Sequence, residues 1–151
     1  MVPTLSVQVA YQIQRPAEEI FEAIVDPDKM AKYFLSKGSA RMDEGKTVYW
    51  SFPEFPDEEP VQVGRIAQNR LISFSWKIDG LDHFVEITLE PKGPSDTLVK
   101  ITEKERPNDE AGIRWLKGNT EGWMNFLCCL KAYLEYGINL RKGGYDFYMK
   151  K

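Results

Sequence analysis

The sequence predicts an α+β fold. A curved, seven-stranded antiparallel sheet wraps around a long C-terminal helix, and two short helices follow the first strand. Three observations carry this. From Gly38 to Lys104 apolar residues recur at every second position between turn signals, the period of strands with one covered face. From Ala111 to Arg141 the period becomes three and four, with Trp123, Leu127, Leu130, Leu134 and Ile138 on one helix face. Leu5, Val7, Val9, Tyr11 and Ile13 alternate with polar residues, adding a first strand that must return to the sheet edge. One domain spanning residues 1–151 is expected, long enough to bury a core.

After the first strand, Pro16 begins a helix, and Glu18 and Glu19 sit in its electropositive first turn. Ile20, Phe21, Ile24 and Val25 give that helix its apolar side. Asp26-Pro27 stops it and starts a second, Asp26 as cap and Pro27 as first residue, with Met30, Tyr33 and Phe34 making it amphipathic. Asp43-Glu44-Gly45 turns between a strand at Ala40 and Met42 and one at Val48, Trp50 and Phe52. A proline-interrupted acidic loop, Pro53 to Pro60, precedes Val61, Val63 and Arg65 on one strand face. Ile72, Phe74, Trp76 and Ile78 lead into the Asp79-Gly80 turn, and His83, Val85, Ile87 and Leu89 leave it. Counting inward places Ile78 opposite His83 and Trp76 opposite Val85. The next hairpin, turning at Pro91 to Asp96, places Val85 opposite Glu103.

Composition excludes several functions. Net charge is −3, which argues against nucleic acid, since that partner selects a basic surface. No apolar run approaches the ~20 residues of a membrane span, and the first residues lack a signal peptide's pattern, so a cytoplasmic protein without membrane insertion is expected. Cys128 and Cys129 are adjacent in the helix, where side chains diverge, so they are read as two reduced thiols. With one histidine in the chain they complete no zinc site, and the acidic loop at Asp57, Glu58 and Glu59 lacks calcium-loop spacing. Neither a metal nor a cofactor is expected.

The remaining candidates sit between sheet and helix. Trp50, Phe52, Phe74, Trp76, Trp115, Trp123, Phe126 and Tyr133 each read singly as ordinary core; together, with Val85 and Leu130, they are expected to line a cavity. Flat, stiff rings build walls and leave gaps where branched side chains would interdigitate. Tyr33 and Phe34 are placed at the cavity mouth. Arg65 and Glu103 share faces with apolar neighbours, which leaves two readings. Each is a polar anchor at one end of the pocket, or a rim residue with packed stem and solvated head, the latter preferred. His83, the one histidine, is read as half-exposed beside a turn rather than as a general base.

Four stretches in order resemble a known family. RPAEEIFEAIVDPDKMAKYF (Arg15 to Phe34), GRIAQNRLISFSWKID (Gly64 to Asp79), VEITLEPKGPSDTLVKITE (Val85 to Glu103) and GWMNFLCCLKAYLEYG (Gly122 to Gly137) are similar to START-like, birch-pollen-allergen-like (SRPBCC) helix-grip proteins. Within them they resemble the AHSA-type branch, named after the activator of the heat-shock-protein-90 ATPase. The resemblance implies a helix-grip fold and a domain that binds an apolar or amphipathic small molecule without catalysis. Alternatives it also implies are a chaperone-related interaction module, or a cavity-based cyclase or hydrolase using Arg65, His83 and Glu103. The eukaryotic activator carries a separate domain ahead of this module, for which this chain has no room. The tail from Lys142 to Lys151, with Tyr145, Phe147 and Tyr148, has no counterpart in the resemblance. A homodimer through the edge strand or the tail is compatible with each reading.

Overall fold

The computed structural model describes residues 3–149. Seven strands form one antiparallel sheet: β1 (Thr4–Ile13), β2 (Lys37–Gly38), β3 (Thr47–Ser51), β4 (Glu59–Ala67), β5 (Leu71–Ile78), β6 (Leu81–Gly93) and β7 (Asp96–Pro107). Their order is β1-β7-β6-β5-β4-β3-β2, a meander whose far edge takes the N-terminal strand. Helices α1 (Ala17–Val25) and α2 (Pro27–Met30) follow β1, and α3 (Glu110–Tyr136) follows β7. This is the α+β helix-grip arrangement. No helix among the described residues is long and apolar enough to cross a membrane.

Local chemistry sets the helix limits. The Asp26 side chain accepts from Asp28 N, with Pro27 in the first turn of α2. Asp109 caps α3 by accepting from Gly112 N at 2.8 Å. The long helix stops at Tyr136, five residues short of the expected Arg141, because Gly137 takes the left-handed conformation (φ 68°) and bonds back to Ala132 and Tyr133. Helix α2 is also shorter than expected. Tyr33 and Phe34 lie in the turns beyond it, and Ala40 and Met42 lie outside the two-residue β2. Strand β1 is tied to α3 by Lys131 Nζ, which donates to Gln12 O (2.9 Å), and by Glu135, which accepts from Gln14 N (2.8 Å).

Two bulges decide which side chains face inward. In β4, Gly64 and Arg65 together oppose Ser73, between the pairs Val63–Phe74 and Ile66–Ile72. The Ser73 hydroxyl donates to Arg65 O and accepts from Arg65 N. The extra residue reverses the alternation, so Arg65 is exposed and does not share the inward face of Val61 and Val63. In β7, Glu105 has no partner between the pairs Leu5–Arg106 and Ser6–Lys104. Glu103 and Arg106 therefore both point inward, while Lys104 and Glu105 point out.

The hairpin register differs from expectation by two residues. Asp79 (φ 53°) and Gly80 (φ 78°) both have positive φ, the signature of a two-residue type I′ turn. Ile78 therefore pairs Leu81, Trp76 pairs His83 and Phe74 pairs Val85. Val85 pairs Glu103 as expected.

Helix α3 starts hard against β7. A Cβ on Gly112 would clash with Pro107 O, a backbone atom that cannot swing aside. Gly112→Ala is expected to destabilise the fold by about 1–3 kcal/mol, the range of overpacking, measured by urea denaturation. An unchanged midpoint would show that the helix start is not so constrained.

Candidate functional site

The space between sheet and helix is mostly filled. Phe74, Val85, Phe126 and Leu130 are at most 0% exposed, and Trp50 and Trp115 are buried beside them. The rings interlock edge to face, as in Trp50–Phe74 (5.3 Å, 67°) and Trp123–Phe126 (5.5 Å, 82°). These six residues, expected as cavity lining, are packed core. The edge-to-face tilts let rings interdigitate where the sequence reading expected gaps. Tyr33 is core too: its hydroxyl donates to Ala23 O at 2.8 Å, and its ring stacks on Tyr133. Tyr133 also touches a groove over α1 and α3, lined by Arg15, Glu18, Glu19, Glu22 and Lys29. That groove is about 580 Å³, and most of its lining side chains are charged.

Beside this core lies an apolar pocket of about 160 Å³ near the N-terminal half of α3. Phe34, Phe52, Phe55 and Trp76 wall it on one side, Gly118, Asn119, Gly122 and Trp123 on the other, and Arg141 at the end. Phe34, Phe52, Trp76 and Trp123 belong to the residues singled out from sequence. Phe55, Gly118, Asn119, Gly122 and Arg141 do not. The two glycines carried a legible signal: a helix interior rarely holds glycine at i and i+4 without a reason. Arg141 carried none, since its partner lies far away in sequence.

Directly behind the wall sits Glu103, with no exposed surface. Its Oε1 accepts from Asn119 Nδ2 (2.8 Å) and Trp123 Nε1 (2.9 Å), and its Oε2 accepts from Trp76 Nε1 (2.9 Å). Its partners among the described residues are all donors, which suits a carboxylate rather than a carboxylic acid. Glu103 is thus neither a solvated rim residue nor a pocket-facing anchor; it holds the pocket wall from behind. A half-exposed His83 is likewise overturned, because the ring is fully buried against Trp115 (centroids 4.9 Å). The tight I′ turn draws it two positions further into the sheet than expected.

The tautomer of His83 follows from its neighbours. Arg106 Nε, a pure donor, approaches His83 Nε2 at 3.2 Å, so that nitrogen carries the lone pair. The proton is then on Nδ1, which faces Glu103 Oε2 at 3.4 Å, too poorly aligned for a full hydrogen bond. Arg106 continues outward to Ile78 O (3.2 Å) and Asp79 (3.1 Å). The line Glu103–His83–Arg106–Asp79 sets a buried negative charge against a positive one across a neutral ring. Both ring nitrogens face protein, so the imidazole offers no atom to a substrate. Among the described residues, no group of three or more His, Cys, Asp or Glu side chains could hold a metal ion. Cys128 and Cys129 are free thiols, and burial pushes the Cys129 thiol up to about 11.

At the pocket end, Glu54 holds Arg141 by two parallel bonds (2.7 and 3.1 Å). The tail continues through a short 3₁₀ turn, Asp146–Tyr148, where Tyr148 approaches Phe55 (6.2 Å). The tail thus folds back over the β3–β4 loop as far as it is described; Lys150 and Lys151 lie outside the described residues.

His83 titration tests the buried line. Burial, reinforced by Arg106, holds its pKa below the ordinary 6.5, against the pull of Glu103. Below pH 6.5 the unfolded chain therefore binds the proton first. The stability contributed by neutral His83 is full above that pH and is lost as pH falls toward the folded value. A proton NMR titration of the single imidazole should give a midpoint under 6.5. A midpoint at or above it would contradict the geometry.

A family model described as Activator of Hsp90 ATPase homolog 1-like protein matches residues 14–135. No curated protein matches. Among solved structures, the chain is similar to protein SSP2350 from Staphylococcus saprophyticus: 34% identity, 91% of this chain and 96% of that one covered, TM-score 0.80. It shares its fold with protein BH1534 of Bacillus halodurans (19% identity, 89% and 100% covered, TM-score 0.74). The fold also matches an Aha1 dimer from Colwellia psychrerythraea (18% identity, 88% and 98% covered, TM-score 0.75).

Proposed function

This chain belongs to the Activator of Hsp90 ATPase homolog 1-like family of helix-grip domains, and from that premise we propose that it is a non-catalytic binding domain. Its ligand is one small apolar or amphipathic molecule, held in the pocket between Phe52 and Trp76 on the sheet side and Gly118 and Gly122 on α3.

The paired glycines carry this reading. Glycine inside a helix costs about 0.5–1 kcal/mol relative to alanine. At Gly112 the backbone contact explains that cost. At Gly118 and Gly122 it does not, since a Cβ at either would meet nothing within 4 Å. Both line the pocket, so what they preserve is open space rather than a packing contact. Acid–base catalysis finds no support in the geometry, because His83 and Glu103 are closed off behind Trp76, Trp115 and Trp123, and Arg65 lies outside.

A second reading, protein interaction of the kind the family name implies, draws on the outer surface. Tyr136, Ile138, Leu140 and Phe147 are 70%, 50%, 52% and 65% exposed around the end of α3 and the tail. Repeated recovery of a chaperone from native lysate would favour it.

Filling the pocket separates stability from binding. Gly118→Ala and Gly122→Ala are each expected to stabilise the fold by up to about 1 kcal/mol. Gly122→Leu is expected to fill the void. Native mass spectrometry of gently purified protein should show one small-molecule adduct on the unaltered chain and none on Gly122→Leu. An adduct kept by the leucine variant, or none on either protein, would count against a pocket ligand.

A further inference from the structure

We propose that the pocket's ligand is a small organic cation, and that Arg141 is the chain's own occupant of the cation position. The inference deepens the binding reading above and depends on it.

Arg141 already sits as a bound cation would. Its guanidinium lies over the rings of Phe34 (5.8 Å), Phe52 (5.4 Å) and Tyr145 (4.8 Å), within reach of cation–π attraction. The Glu54 carboxylate completes the box, and the two side chains are 11% and 6% exposed. Yet the fit is incomplete: among the described residues, Arg141 Nε is buried with no hydrogen-bond partner. The segment that delivers it begins at Gly137 and passes Gly143, both with positive φ, and pairs with no strand.

Size and charge then restrict the ligand. The void is about 160 Å³, below the roughly 300–1,000 Å³ of pockets that enclose drug-sized molecules. A ligand larger than the void enters by moving Arg141 aside. That strands Glu54, a buried carboxylate, unless the newcomer brings positive charge. The surroundings agree. Glu103 lies behind the indoles of Trp76 and Trp123. Asp57 and Glu59 rim an adjoining groove that shares Phe52, Phe55 and Trp76 with the pocket; Lys77 lies in the same rim, and Asp79 there is paired with Arg106. Burial first, and the nearby Asp57 second, hold the Glu59 carboxyl above its ordinary range. A carboxylate ligand that displaced Arg141 would leave Glu54 without a counter-charge.

Tryptophan fluorescence reads the test, since Trp76 and Trp123 form the wall. The probes are choline and its uncharged carbon isostere, dimethylbutanol. The unaltered chain should bind choline about tenfold more tightly than the isostere. Arg141→Met, which vacates the box, should tighten choline further. Glu54→Gln should weaken choline about tenfold and leave the isostere unchanged. If Arg141→Met does not fold, the unaltered chain and Glu54→Gln decide alone. Equal binding of both probes, abolished by Gly122→Leu, would overturn the cation inference and leave the pocket reading intact. No binding of either probe to any folded variant would overturn both.

Discussion

One buried carboxylate constrains the middle of this molecule. Glu103 has no exposed surface, and an ion so placed costs several kcal/mol unless its neighbours compensate. Here they do: two indoles and an amide donate to it, and Arg106 supplies the opposite charge one imidazole away. Hydrogen bonds to a charged group contribute about 1.5–3 kcal/mol each, so three of them are of the size needed to hold the ion. The same bonds fix Trp76 and Trp123 side by side (5.7 Å) across the sheet–helix boundary. The wall of the pocket is a by-product of solving a buried-charge problem.

That solution depends on backbone irregularity. Without the bulge at Glu105, strict alternation would turn Arg106 to solvent and leave Glu103 without its counter-charge. Without the type I′ turn at Asp79-Gly80, His83 would not stand between them. At the other side of the sheet, the bulge at Gly64-Arg65 throws a second arginine out to water and lets Ile66 join the packed face. In both strands one extra residue decides which charge is inside. The open space is set differently, by what α3 lacks at Gly118 and Gly122. Its limit is set by a tail arginine that reaches back to the β3–β4 loop.

The fold was legible because its signals are local. Alternation in β1 and β5 to β7, the Asp26-Pro27 break and the leucine spacing of α3 each lie within a few residues. The interior parity of Val85 and Glu103 followed from counting alone. The site was legible only in part. Arg65 was misplaced because a bulge is a one-residue event inside a regular pattern, hinted at only by Gly64. His83 was misplaced because two- and four-residue hairpin loops share the same parity, so the alternation could not tell them apart. Trp50, Phe74 and Phe126 were expected as walls because ring count does not reveal ring tilt. The Arg141–Glu54 pair joins positions 87 residues apart, beyond any period in the chain.

The most direct measurement follows the indole N–H resonances of nitrogen-15-labelled protein, in the unaltered chain and in Glu103→Gln, while choline is added. If Glu103 holds the ligand-binding wall, the Trp76 and Trp123 signals shift on titration and the Trp115 signal, on the far side of His83, stays in place. In Glu103→Gln the same two indoles lose their carboxylate acceptor and the titration response falls away. A response confined to Trp115, or an undiminished response in Glu103→Gln, would contradict the role given to the buried carboxylate.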